Sequence, residues 1–418
     1  ETNRIEITPA FPAERVTVNG EEAQREGNSF VYSYTAEKIG ELTFSICADD
    51  VQTECRILVQ ERPELLAQRR CRFLAKNQQY TGEGPLNGAY LAYDNEEERL
   101  VYTPENDFNG GRERIGMGIL MARYLQQKKD ENLMDSLEKY RDFVLRELVD
   151  KETGCVYNDM ERDDSYHRLY NAPWAATLFT ELYRLEQKRE YLTYACRIVK
   201  RYYQEGGKEF YPIELPVLAL IKALGEVQME AEQREMRVLF INHADWLCGR
   251  GLDYPPSEVN YEQSIVAPAA QILLSVYLLT GKEKYLHAGG QQVKVLELFN
   301  GMQPDYHLYE SAVRHWDGYW FGKRRYYGDT FPHYWSALTG NVFALYAKAT
   351  KDASYMKRAE DSRRGVLPMI FPDGRASCAY VYPQSVNNRR ASFYDPYAND
   401  QDWGLYFYLR EGEAYQRD

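Results

Sequence analysis

Between residues 14 and 60 apolar and polar positions alternate: Val16-Thr-Val18, Phe30-Val-Tyr-Ser-Tyr34, Leu42-Thr-Phe44-Ser-Ile46 and Arg56-Ile-Leu-Val59. A period of two places every second side chain on one face of a strand. The turn signals Asn19-Gly20 and Gly40-Glu41 separate these runs. Four short strands enclose little core, so residues 1–61 are expected to be a small β-sandwich-like module that packs on the rest of the chain or is the remnant of a larger β domain.

From Pro63 the apolar period lengthens to that of a helix and predicts about twelve helices. Their expected spans are 63–79, 113–128, 132–149, 172–186, 189–204, 213–226, 229–249, 262–280, 283–299, 334–349, 353–368 and 401–410. Every second link is short and polar, near residues 129, 188, 229, 282 and 351. Three of these links precede an aromatic-aliphatic pair, Tyr191-Leu, Tyr285-Leu and Tyr355-Met. The intervening links are long and rich in aromatic and polar residues, roughly 80–112, 150–171, 205–212, 250–261, 300–333 and 369–400. Repeated hairpins with short turns at one end and long loops at the other predict an (α/α)6 toroid over residues 62–418, with the loops framing a pocket at the inner-helix N-termini. A helical-repeat solenoid shares the hairpin signal but has less need for such unequal loops.

The composition, 44% hydrophobic and 27% charged in 418 residues, excludes a disordered chain. The stretch Ile265–Leu279 is interrupted by Pro268, Gln271 and Ser275, so a soluble protein with no membrane span is expected. A net charge of −12 argues against nucleic acid as a partner. The seven cysteines form no CxxC and fit a reducing, cytoplasmic compartment. Cys47 and Cys55 flank the turn Ala48-Asp49-Asp50 and are positioned to pair across strands, which leaves export open. The chain begins at Glu1 rather than Met, which leaves room for a removed leader or an upstream domain.

The loop 302–335 carries the densest chemistry, with His307, Tyr309, Glu310, His315, Trp316, Tyr319, Trp320, His333 and Trp335. Aromatic faces stack on sugar C–H groups, while carboxylates, histidines and arginines supply directed polar contacts. Carboxylates recur at expected inner-helix starts: Asp107, Glu113, Asp164, Glu262, Asp317, Asp329, Asp395, Asp400 and Asp402. Taken singly, each is as readily a helix cap or first-turn charge. Asp317, within His315-Trp-Asp-Gly-Tyr-Trp320, is the least open to that objection. Arg112 and Arg114 follow Asn109-Gly-Gly111, and Arg314, Lys323, Arg324 and Arg325 lie in the aromatic loop. Guanidinium forks there suit a substrate carboxylate, unless they pair with neighbouring acids. No GxSxG, P-loop or HExxH is present. The histidines are too dispersed to predict a metal, although His315 and His333 are spaced to share a site, and His243 reads as a core residue.

At Arg314-His-Trp-Asp-Gly-Tyr-Trp-Phe-Gly-Lys, Tyr327-Gly-Asp-Thr-Phe-Pro-His-Tyr-Trp335 and Asn399-Asp-Gln-Asp-Trp403 the chain resembles the six-hairpin glycosidase superfamily, nearest to glycoside hydrolase family 154. That resemblance implies an N-terminal β-sandwich, no cofactor, and β-glucuronidase activity on uronic-acid-containing oligosaccharides of plant glycans. The chemistry of glycoside hydrolysis asks for two facing carboxyls. Asp317 is the expected acid, with Glu113, Glu262 or Asp402 as its partner. Arg112, Arg114, Arg314 and Lys323 or Arg324 are expected to grip the uronate, with His167, His315, Trp316, Tyr319, Trp320, Asp329, His333 and Trp335 around the sugar. Two other classes remain open: a polysaccharide lyase using Tyr166, His167, Asn171 and Arg324, and a non-catalytic glycan-binding protein.

Overall fold

The structure is a computed structural model describing residues 2–104, 108–254, 262–317, 322–325, 327–381, 385–386, 389–390 and 393–411, with side chains left undescribed at 113, 315–317, 327–332, 334, 385–386, 389–390 and 411. Two antiparallel sheets form at the N-terminus. One has the order β1 (Thr2–Ile7), β5 (Ser29–Thr35), β4 (Gln24–Glu26); the other has the order β3 (Glu21–Glu22), β2 (Val16–Val18), β6 (Gly40–Ala48), β7 (Val51–Val59). The alternating apolar residues meet in a small core of their own, including Ile5, Val16, Val18, Phe30, Phe44 and Ile46. Strand β7 does not leave its outer edge bare: Arg56 accepts from the Tyr306 amide at 3.1 Å and donates to the Pro304 carbonyl at 2.8 Å. Pairing that edge with a helical-region loop removes a template for aggregation and docks the sheets on the helices.

Among the described residues twelve α-helices follow: α1 (Pro63–Phe73), α2 (Ile115–Gln127), α3 (Glu131–Phe143), α4 (Asn171–Glu186), α5 (Arg189–Gln204), α6 (Val217–Glu226), α7 (Glu230–Arg250), α8 (Gln263–Thr280), α9 (Glu283–Leu296), α10 (Ala337–Thr350), α11 (Ala353–Arg364) and α12 (Asp402–Glu411). Even-numbered helices pack side by side and close on themselves where α12 meets α2; each hairpin partner lies outside, with α1 backing α12. The sequence dictates this layering. All residues from Ile115 to Leu125 in α2, and from Gln263 to Val276 in α8, are buried. A helix apolar all round must be surrounded. Outer α5 buries Tyr191, Leu192, Ala195, Cys196, Ile198, Val199 and Tyr202, a single stripe. The fold is therefore the (α/α)6 six-hairpin toroid preceded by a small β region, as expected. The short turns at 127–131 and 183–187 line a common depression, consistent with one shared face.

Several details differ from the sequence reading. Helix α6 begins at Val217 instead of 213, because Glu214 adopts a left-handed backbone (φ 58°) and Pro216 sits at the N-cap. The expected loop 302–335 contains strands at Tyr309–Ala312, Arg314–Asp317 and Tyr327–His333, the last two paired antiparallel. All seven cysteines are free. Cys47 faces Gln52 and Cys55 faces Phe44 across β6 and β7, so the proposed bridge is out of register. By length and mean hydropathy (1.4), α8 passes as a membrane span, yet 78% of that window is buried inside the protein.

Candidate active site

The long connections gather over the N-termini of the inner helices. The Asn109-Gly-Gly111 segment reaches this mouth by close backbone contact: a Cβ on Gly111 would lie 2.4 Å from the Asn158 carbonyl oxygen. The Gly110 amide donates to Asp159 Oδ1 at 3.0 Å, and the Gly111 amide to Asn109 Oδ1 at 3.0 Å. The next residue, Arg112, has φ 49°, a conformation that costs a side-chain-bearing residue energy and recurs at functional sites. Its Nε donates to Asn158 Oδ1 at 3.0 Å, and its guanidinium carbon lies 5.9 Å from the centre of the exposed Tyr166 ring. Asn171, the first residue of α4, donates to the same Asn158 oxygen at 3.4 Å. Arg112, Tyr166, Asn158 and Asn171 therefore converge from the starts of two adjacent inner helices.

A second group lies across α8 and α10. Arg314 stacks its guanidinium 3.9 Å from the Trp335 ring centre and approaches Glu262 Oε1 at 3.5 Å. The other Glu262 oxygen accepts from Ser264 Oγ at 2.8 Å. His333, fully buried at the start of this helix, accepts the Trp335 amide on Nδ1 at 3.2 Å. Burial, then the adjacent Arg314 charge, hold its pKa well below the usual histidine value. It is accordingly the neutral tautomer with its proton on Nε2.

The remaining expected site residues are spent elsewhere or lie outside the description. Asp402 is fully buried, with Arg70 donating to its two oxygens at 2.7 and 3.1 Å and Gln401 at 2.6 Å. A carboxylate sealed against an arginine in the ring wall cannot face a substrate, which corrects its assignment as a catalytic partner. Arg114, also fully buried, pairs with Asp400 at 2.6 Å and likewise has no face toward a sugar. Lys323 binds Asp94, Glu96 and Glu97 at 2.6–3.1 Å, and Arg324 pairs with Glu96, so their charge is already matched. His167 lies 3.1 Å from Glu205 and 3.5 Å from Asp164. The backbones of His315, Trp316 and Asp317 pair with Asp329, Gly328 and Tyr327, but the side chains of His315, Trp316, Asp317, Asp329 and Glu113, and all of Asp107, Tyr319 and Trp320, lie outside the described residues.

Asn158 escaped the sequence reading because a buried asparagine after a turn carries no periodic signal. Its neighbours Asn109 and Gly111 did, through the paired glycines. Near the mouth, Asn109 Nδ2, Asn171 Oδ1, Trp174 Nε1 and Gln263 Oε1 are buried without a partner among the described residues. Buried polar atoms are nearly always satisfied, so these four call for a partner such as ordered water or a polar ligand at this end of the toroid.

The fold and this polar mouth define the class, a six-hairpin toroid with a loop-built pocket. No protein-family model and no curated protein matches the chain. Among solved structures, the polysaccharide lyase BACCELL_00875 is 40% identical with a TM-score of 0.91, covering 99% of this chain and 63% of its own. The present chain thus spans less than two thirds of that lyase. A family 76 glycoside hydrolase from a bovine Bacteroides thetaiotaomicron strain (11% identical, TM-score 0.54, covering 98% of this chain and 93% of its own) shares the fold. So does an unsaturated glucuronyl hydrolase specific for heparin (11% identical, TM-score 0.52, covering 85% and 97%).

Proposed function

We propose that the protein is a glycan-processing enzyme that cleaves a uronic-acid-containing oligosaccharide by β-elimination. The observation carrying this reading is the convergence of Arg112, Asn171 and Tyr166 at the mouth. Elimination needs a group to neutralise the uronate carboxylate, a base for the proton on the adjacent carbon C5, and a proton for the leaving oxygen. Arg112 and the Asn171 amide bind the carboxylate, which makes the C5 proton more acidic. Tyr166, acting as the phenolate, takes that proton; the electron pair becomes the C4–C5 double bond, the C4–O bond breaks, and the phenol so formed passes its proton to the leaving oxygen. Arg314 and Trp335 offer a charged, aromatic opposite wall for the neighbouring sugar.

The 40% likeness to a polysaccharide lyase supports the same chemistry. Hydrolysis by a β-glucuronidase is the second reading. It is favoured by Glu262 at the mouth, but Asp402, another expected partner of Asp317, is sealed in a buried ion pair with Arg70. Incubation with 4-O-substituted glucuronide oligosaccharides tests the choice. Elimination produces an unsaturated uronate with near-ultraviolet absorbance; a saturated uronate would establish hydrolysis instead. Loss of that absorbance in Tyr166→Phe, with the fold intact by circular dichroism, is the expected result for the base.

A further inference from the structure

A pit of about 320 Å3, lined by residues toward the C-terminal ends of α2, α4, α10 and α12 and by the recessed start of α6, is not used by the proposed reaction. Its lining includes one cation from each of five inner helices: Arg123, Arg184, Lys222, Lys348 and Arg410. Part of this charge has a plain structural purpose. Arg123 Nη2 donates to the Leu409 and Arg410 carbonyls at 3.4 and 3.2 Å, and Arg410 pairs with Glu214. Cations near helix C-termini also offset the helix dipoles. Those roles do not account for Asn341. It is 1% exposed and lines the pit, yet neither its oxygen nor its nitrogen has a partner among the described residues. Gln271, also in the lining, donates to Glu214 Oε2 at 3.2 Å but leaves its own oxygen unmatched.

An unmatched amide that offers both a donor and an acceptor asks for hydroxyl groups, which do both. Lys348 at the exposed rim asks for an anion, whereas Lys222 beside it lies 4.0 Å from Glu226. We propose that this pit is a second binding site, for a small polyhydroxylated carboxylate of monosaccharide size, separate from the catalytic mouth. The ligand's hydroxyls pair with Asn341 and Gln271, and its carboxylate lies toward Lys348. Gln271 lies eight residues beyond Gln263 on α8, so the floor of the pit is about 12 Å below the mouth at the helical rise per residue.

The two sites separate in one calorimetric experiment on the full chain, titrated with gluconate, glucose and inorganic phosphate. Gluconate should bind more tightly than either of the others, and at least tenfold more weakly in Asn341→Leu and Lys348→Ala. Asn341→Leu should also leave glycan turnover unchanged and melt at the same temperature or higher, because an unsatisfied buried amide is replaced by an apolar group of similar size. Arg112→Ala, at the mouth, should leave gluconate binding intact. The proposal is overturned by no gluconate binding, by equal binding of glucose or phosphate, by binding indifferent to Asn341→Leu, or by a marked loss of stability in that variant.

Discussion

Arg112 is the residue on which the mouth turns: a left-handed backbone after two glycines aims its guanidinium at Asn158 and Tyr166. A charged hydrogen bond contributes roughly 1.5–3 kcal/mol, so Arg112→Ala should lower kcat/KM on a uronide by about ten- to a hundredfold. Arg112→Lys should recover little of this, because the planar fork is lost. Unchanged turnover in both would place the carboxylate elsewhere. His243 offers a test of a different kind. Its ring bridges Tyr203 OH at 3.1 Å and the Phe210 carbonyl at 2.8 Å, and burial lowers its pKa to about 4. The unfolded chain therefore binds this proton first, and folded stability is present above about pH 6.5 and lost as pH falls toward 4. Chemical denaturation across that range should show a loss on the order of 3 kcal/mol from this group, and a shallower slope in His243→Gln. Arginines near Gly-Gly were legible in the sequence because their setting is local. The partners of Arg114, Asp402, Lys323 and Arg324 were not, since ion pairs such as Arg70–Asp402 join residues hundreds of positions apart.

At the scale of elements, the inner ends of the hairpins repeat a device. Gln187, Gln228, Gly281 and Lys351 close four short turns in the left-handed conformation. A residue with a Cβ is strained there, so Lys351→Gly (φ 64°) should stabilise by about 0.5–1 kcal/mol in denaturant melts; a loss would mean that Lys351 makes a compensating contact. The outer helices use glycine differently. Gly154 (φ 74°) presses on α5, where a Cβ would meet the Arg197 carbonyl at 2.4 Å, and Gly374 (φ 91°) presses on Arg69 of α1 in the same way. Gly154→Ala should cost about 2 kcal/mol or more, from backbone strain plus overpacking. Helices were readable because their apolar period spans many residues. The strands at Arg314–Asp317 and Tyr327–His333 were not, because aromatic and charged residues interleaved with glycine leave no alternation to detect.

Across the whole molecule, the inner ring closes where α12 meets α2, and the buried Arg70–Asp402 pair clasps the outer α1 to α12. Removing one partner of such a pair strands the other charge, so Asp402→Ala should lower stability by about 3–5 kcal/mol while the molecules that remain folded keep their turnover. Lost turnover without lost stability would return Asp402 to the mechanism. Ring architecture was legible from the alternation of short and long links, because each hairpin announces itself locally. What the mouth does was less legible, since elimination and hydrolysis call on similar residue types and differ in which of them face the sugar. The most direct measurement runs the reaction on a 4-O-substituted glucuronide in water enriched in heavy oxygen and weighs the products. Elimination predicts an unsaturated uronate and a released fragment that both exclude solvent oxygen. Heavy oxygen in a newly formed reducing end would contradict it and establish hydrolysis.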